Sequence, residues 1–262
     1  MSTPAPARPA ATIVLLRDAP EGMQVFMVVR HHQIDFASGA LVFPGGRVDP
    51  PDRDITGGPR CGGAPGLGGE ALALRVAGIR EAFEECGVLL AHPRGASGLI
   101  DAARLRSVRR DTDFATLLEA EDLVLAAEAL TPFAHWITPP MMPKRFDTHF
   151  FLALAPADQL AVHDGAESVD SVWISPARAL AEAGEGRWKL VFPTRLNLQK
   201  LARWTNSAAA IEAARVAPIV TVMPEATRTP TGRRMRIPAA AGYGGEVFES
   251  IDPPAMEPRD LS

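Results

Sequence analysis

Three carboxylates crowd one short stretch of this chain, Arg80-Glu81-Ala82-Phe83-Glu84-Glu85-Cys86-Gly87-Val88. A helix turning by about 100° per residue sets Glu81, Glu84 and Glu85 within roughly 100° of one another. Leu72, Val76, Ile79 and Phe83 gather within about 60° on the opposite side. One face is therefore expected to bury while the other collects charge that repels itself at i, i+3 and i+4. A hard divalent cation would relieve that repulsion, and an all-oxygen donor set suits Mg²⁺ or Mn²⁺ where thiolates or imidazoles would suit zinc.

Two glycine features flank the carboxylates. Gly87 stands where a helix end favours a residue that can take positive φ. Upstream, Phe43-Pro44-Gly45-Gly46-Arg47-Val48-Asp49 closes an apolar run with a tight turn. Together these pieces resemble the Nudix box, whose pattern is Gly, five residues, Glu, seven residues, then Arg-Glu-apolar-x-Glu-Glu-x-Gly-apolar. The second half matches at Arg80, Glu81, Ala82, Glu84, Glu85, Gly87 and Val88. The first half departs from it: Asp52 replaces Glu six residues after Gly46, and 27 residues separate Asp52 from Arg80.

The surplus reads as an insertion. Residues 53–69 hold seven glycines and two prolines, which predicts a flexible surface loop whose closure costs little. A box split in this way, with Phe36 to Asp49, Trp136-Ile137-Thr138-Pro139 and Lys144-Arg145-Phe146-Asp147-Thr148, resembles the Nudix branch that includes the peroxisomal coenzyme A diphosphatases. The resemblance covers roughly residues 10–205.

That resemblance implies hydrolysis of a diphosphate by means of Mg²⁺ or Mn²⁺, in coenzyme A or an acyl-coenzyme A, to 3′,5′-ADP and a 4′-phosphopantetheine product. The metal set is expected to be Glu81, Glu84 and Glu85, with Glu81, Glu84 and Arg80 in catalytic roles; Arg80 is placed to pair with Glu84 at i, i+4. Gly45 and Gly46 let backbone approach the phosphate or metal. A carboxylate outside the box is the expected further ligand or base: Glu167, with Asp164 and Asp170 as competitors. The roles of Asp49 and Asp52 stay open. Lys144 and Arg145 are candidates for the terminal phosphates, or else exposed strand-edge charges. Trp136 and Phe146 could stack on an adenine or simply pack a core. His31 and His32 point to opposite faces of a strand and are expected to be solvated.

The same reaction on another nucleoside diphosphate derivative (an NDP-sugar, NADH or a damaged nucleotide) is the main alternative. A Nudix-like module that binds without turnover is a second one, weakened because all three box carboxylates are present.

The elements that must position these groups follow from pattern. Thr12 to Leu16 and Gln24 to Arg30 read as a strand pair around an Asp-Ala-Pro-Glu-Gly turn, and Ala40 to Phe43 as a short strand. Residues 70–86 form the box helix, and Leu99 to Leu130 is read as two or three helices. Phe133 to Ile137, Thr148 to Ala155 and Val169 to Ile174 return to strand. Ser175-Pro176 opens a helix, and Pro193 to Trp204 forms another. The fold class expected is α/β, a Nudix-type α/β/α sandwich with a mixed sheet. Residues 1–10 are read as a disordered lead-in, 11–205 as the domain (with a loop insertion at 53–69 and a helical one at 99–130), and 206–262 as a Pro-rich extension packed on it.

Of the 262 residues, 47% are hydrophobic and 22% charged, ordinary for a globular protein. A net charge of −4 argues against nonspecific nucleic-acid binding. No apolar run approaches the roughly 20 residues that span a bilayer. Two cysteines make no disulfide framework, and the end Asp260-Leu261-Ser262 is not the Ser-Lys-Leu peroxisomal address, so the cytoplasm is the expected compartment. The expected partner is a small coenzyme A-like substrate, with no nucleic acid and no membrane; a homodimer is one option.

Overall fold

The structure, a computed structural model, describes residues 4–30, 39–62, 66–106, 108, 112–159, 161, 168–230 and 232–251. Along the chain come β1 (Arg8–Ala19), β2 (Gly22–Arg30), β3 (Leu41–Val42), β4 (Gly45–Arg47), α1 (Pro50–Thr56), β5 (Cys61–Gly62) and α2 (Gly69–Cys86). Then follow β6 (Ala91–Pro93), α3 (Ala102–Leu105), α4 (Phe114–Ala120), β7 (Leu123–Ala126), β8 (Thr131–Ile137), β9 (Phe146–Leu154) and β10 (Ser168–Ile174). The remainder is α5 (Pro176–Gly184), α6 (Phe192–Leu201), α7 (Ser207–Val216), β11 (Thr221–Val222), β12 (Glu225–Thr229), β13 (Gly232–Arg236) and β14 (Val247–Ile251).

A mixed sheet runs β10-β2-β1-β9-β8-β11, with β3 added on β2 and β4 on β1. β1 pairs parallel with β9 and antiparallel with β2 and β4. Its run of β-branched and leucine side chains is buried from Ala10 to Leu16 apart from half-buried Thr12, because both faces of the strand are covered. Ala11, Ile13 and Leu15 face α2, whereas Val14 and Leu16 face the side packed by α5, α6 and α7. That alternation is the period of two that a strand imposes. Helices on both sides of a mixed sheet give the α/β/α sandwich expected from the sequence.

Helix α2 ends as its sequence predicts. Gly87 adopts φ 69°, and its N–H donates to Phe83 O at 2.9 Å. The helix is not, however, half solvated. Residues Ala73 to Arg80 are all buried, and so are Ala82, Phe83, Glu85 and Cys86, since the sheet, α1 and the β5-β7-β6 ribbon surround it.

Four expectations need correction. Strand β1 begins at Arg8, inside the supposed lead-in, because parallel pairing with β9 gives those backbone groups partners; Arg8 N–H donates to Arg145 O at 3.0 Å. The Gly-rich segment is not wholly a loop. Helix α1 runs into it as far as Thr56, and Cys61–Gly62 pairs with Leu125–Ala126. Residues 99–130 are not all helical: Leu123–Ala126 is a strand between β5 and β6, buried throughout. A fully buried four-residue apolar run carries no period that separates strand from helix. Finally, the extension after residue 206 holds α7, adds β11 to the main sheet beside β8, and forms a second antiparallel sheet, β12-β13-β14.

One buried polar chain ties that extension to the sandwich. Trp136 Nε1 on β8 donates to Tyr243 Oη at 2.9 Å, and Tyr243 Oη donates to Asn197 Oδ1 on α6 at 2.7 Å. Burial pushes the Tyr243 hydroxyl well above its ordinary pKa, so it stays a neutral donor and acceptor at any physiological pH. Tyr243→Phe leaves two buried partners without their bond and should lower stability by about 1–3 kcal/mol in urea denaturation.

Candidate active site

Arg80 organises the acidic end of α2. Its Nε and Nη2 donate to Asp52 Oδ1 and Oδ2 at 2.8 and 3.0 Å, and Nη2 also donates to Arg47 O at 2.9 Å. Nη1 donates to Glu81 Oε1 at 3.0 Å and to Glu84 Oε2 at 2.9 Å. All five N–H groups of the guanidinium thus meet acceptors. Burial by itself would lower the pKa of Arg80; its hydrogen bonds to Asp52 and the charges of Glu81, Asp52 and Glu84 outweigh it, and the net direction is upward.

The roles left open for Asp49 and Asp52 now separate. Asp52 is fully buried, braces Arg80 and accepts from Asp49 N–H at 2.8 Å. Asp49 lies at the start of α1, half exposed, with its Oδ2 3.9 Å from Arg80 Nη2.

The glycine turn is fitted to the same helix. Gly45, at φ 154°, donates its N–H to Glu85 Oε2 at 3.1 Å, and a Cβ there would lie 2.4 Å from Ala11 O. A Cβ on Gly46 would lie 2.3 Å from Glu81 Oε1. The Glu81 carboxylate occupies the space that any other residue at Gly46 would fill. Glu85 is buried, Glu81 is 14% exposed at its side chain and Glu84 is 45% exposed. Burial pushes the Glu84 pKa up; Arg80 pulls it down, Asp52 and Asp49 push it further up, and the net direction is upward.

As a donor set this is all carboxylate, which fits a hard divalent ion. The sequence leads one to expect the oxygens to converge more than they do. Among the described residues the set of three ligating atoms lying within 4.8 Å of one another is His135, Asp147 and His149, not the box glutamates. Glu81 and Glu84 lean on one nitrogen of Arg80, and Glu85 on the Gly45 N–H.

Beside the turn opens a cavity of about 510 Å³, within the roughly 300–1,000 Å³ of small-molecule sites. Its wall includes Gly45, Gly46, Phe43, Met141, Met142, Trp136, Phe146 and Phe192, with Arg30 and Arg233 as its cationic members. The extension contributes Pro224, Ala226, Arg233 and Met235, which nothing in its irregular Pro-spaced sequence announced.

Family, relatives and site can now be compared. The family model described as NUDT19 Nudix domain matches residues 66–201, which includes all of α2 with Glu81, Glu84 and Glu85. The chain belongs to the NUDT19 Nudix-domain family. It is 31% identical over 206 aligned residues to the acyl-coenzyme A diphosphatase NUDT19 of Homo sapiens, covering 61% of this chain and 55% of that protein. A putative nudix hydrolase 7 of Caenorhabditis elegans is 29% identical over 197 residues, covering 75% of this chain and 61% of the relative. The chain thus spans somewhat over half the length of these curated relatives. A crystal structure of a Nudix hydrolase from Alicyclobacillus acidocaldarius superposes with a TM-score of 0.70 at 28% identity, over 82% of this chain and 99% of that one.

Other candidates in this Nudix domain fall elsewhere. Arg145 donates to Thr138 O at 3.0 Å and to Ala5 O at 2.6 Å, so its guanidinium fastens strand ends together. Lys144 is exposed in the β8–β9 connection, and neither it nor Arg145 lines the cavity. Trp136 is both core and cavity wall, and Phe146 lines the cavity too. Asp170 is exposed on the edge strand β10, where its Oδ1 accepts from the Ser171 N–H at 2.8 Å. Glu167, Asp164, His31 and His32 lie outside the described residues. No helix among the described residues is long and apolar enough to cross a membrane.

Breaking the buried pair tests the brace. Asp52→Ala removes the fully buried counter-ion and two of the five hydrogen bonds of Arg80, leaving Glu81 and Glu84 as its anionic partners, and should cost about 3 kcal/mol in urea denaturation. A second test uses pH. Because the folded Glu84 pKa is raised, the unfolded carboxyl ionises first as pH climbs past its ordinary 4.5, and stability is lost across that window. In metal-free buffer Glu84→Gln should therefore melt higher than wild type at neutral pH, with the gap closing in acid.

Proposed function

We propose that this domain is a Mg²⁺- or Mn²⁺-dependent hydrolase of a diphosphate linkage, with coenzyme A or an acyl-coenzyme A as substrate. The observation that carries the reading is the pairing of two features at one glycine turn. Gly45 and Gly46 touch Glu85 and Glu81 through backbone and missing Cβ. The same two residues form part of the wall of the 510 Å³ cavity. A substrate held in that cavity would present its diphosphate to the carboxylates.

Glu81, Glu84 and Glu85 are the residues that would hold the metal. When bound, Mg²⁺ or Mn²⁺ would neutralise phosphate charge and lower the pKa of a coordinated water. Arg80 fixes Glu81 and Glu84 through one nitrogen, so two carboxylates are oriented before anything binds. Glu84 is the most exposed of the three, which places it to orient or accept a proton from the attacking water. The water's oxygen bonds to one phosphorus, the bridging oxygen departs with the other, and coenzyme A would yield 3′,5′-ADP and 4′-phosphopantetheine.

The choice of an acyl-coenzyme A is supported by two things. The cavity wall includes three methionines and five aromatic residues, with Arg30 and Arg233 among its other members, which suits a molecule with an apolar tail and anionic phosphates better than a sugar. The relatives that carry the name acyl-coenzyme A diphosphatase include the Homo sapiens protein and that of Gallus gallus, 28% identical over 66% of this chain. We place the reaction in the cytoplasm; sedimentation distinguishes a monomer from a homodimer.

A substrate panel read by product mass tests the proposal. Acyl-coenzyme A should be cleaved in preference to NADH and NDP-sugars, chelator should abolish turnover, and Glu84→Gln should slow it by about a hundredfold or more. Full activity in chelator, or a preference for NDP-sugars, would sink it.

A further inference from the structure

We propose that His135, Asp147 and His149 form a binding site for a borderline divalent transition-metal ion of the Zn²⁺ type, separate from the carboxylate patch on α2. The three residues are held by backbone pairing, not by loops. His135 on β8 stands directly opposite His149 on β9, and Asp147 precedes His149 by two residues, so it projects from the same face of the sheet. One ligand atom from each lies within 4.8 Å of the other two.

One carboxylate oxygen faces two imidazole nitrogens. His135 Nε2 contacts Asp147 Oδ1, and His149 Nε2 lies 3.8 Å from that same oxygen, too far for a hydrogen bond. The two imidazole rings stack at 4.0 Å with 20° between their planes, so both ring edges aim their nitrogens towards one carboxylate oxygen. Two nitrogens and an oxygen converging in this way match the two-histidine, one-carboxylate set that takes a first-row transition ion and leaves positions open for water.

Orientation comes from a further partner. His135 Nδ1 lies 2.8 Å from Thr221 Oγ1 on β11, the kind of bond that fixes the tautomer and rotation of a ligating imidazole. Access is open, because the Asp147 and His149 side chains are 36% and 34% exposed while His135 is 15% exposed. The donors also separate the two sites by chemistry. Imidazole nitrogens favour Zn²⁺, Co²⁺ or Ni²⁺, whereas carboxylates alone favour Mg²⁺ or Mn²⁺. Across the sheet His149 neighbours Ala11, and Ala11 neighbours Gly46, so two strand spacings, about 10 Å, part the backbone of His149 from that of Gly46.

The test uses the full chain, stripped with chelator and dialysed, then titrated with Co²⁺ and followed by its visible absorption, with Zn²⁺ as competitor. Wild type should bind one equivalent, displaced by Zn²⁺ and not by Mg²⁺. His149→Ala and the more conservative His149→Asn should each weaken binding tenfold or more, and Thr221→Val about tenfold. Glu84→Gln should leave Co²⁺ affinity unchanged. A melting temperature that rises with Zn²⁺ in wild type but not in His149→Asn would agree. No Co²⁺ band in wild type, equal affinity in wild type and both His149 variants, or loss confined to Glu84→Gln would overturn the proposal; that last result would leave the reading of the carboxylate site standing.

Discussion

A guanidinium with only 11% of its side chain exposed is stable in a protein only if each of its N–H groups is answered. Arg80 meets that demand by drawing in α1 through Asp52, β4 through Arg47 O, and its own helix through Glu81 and Glu84. The requirement is mutual. Without Arg80, Asp52 would be a buried anion and the two glutamates would repel each other at i, i+3 spacing. The acidic surface of α2 therefore exists because a cation beneath it is already neutralised from the far side. The glycine turn completes the arrangement, since Gly46 alone leaves room for the Glu81 carboxylate and Gly45 ties down Glu85.

Much of this could be read from residue order. The 3.6-residue period placed the three glutamates together, Gly87 marked the helix end, and runs rich in β-branched and apolar residues located β1, β2, β8 and β9. These are local signals, in which one residue type at one spacing has one favourable conformation. Pairing of Arg80 with Glu84 was legible for the same reason, being a contact four residues along one helix.

What escaped was set by contacts distant in the chain. Asp52 reaches Arg80 across 28 positions, and nothing local distinguishes a buried aspartate from one that caps a loop. Leu123–Ala126 is a strand because β5 and β6 flank it, not because of its own composition. Arg145 looked like a phosphate ligand by charge alone, yet the carbonyls of Thr138 and Ala5 claim it. His135 and His149 lie fourteen positions apart and become neighbours only through the register of β8 and β9.

The sheet β12-β13-β14 lends Ala226, Arg233 and Met235 to the cavity wall, while the acidic end of α2 lies against the glycine turn that forms another part of it. Lining and carboxylates thus belong to stretches of polypeptide far apart in the chain. Drift at Ala226 or Met235 can reshape the enclosure while α2 stays untouched. A lineage can in this way remodel the chamber by exchanging its tail.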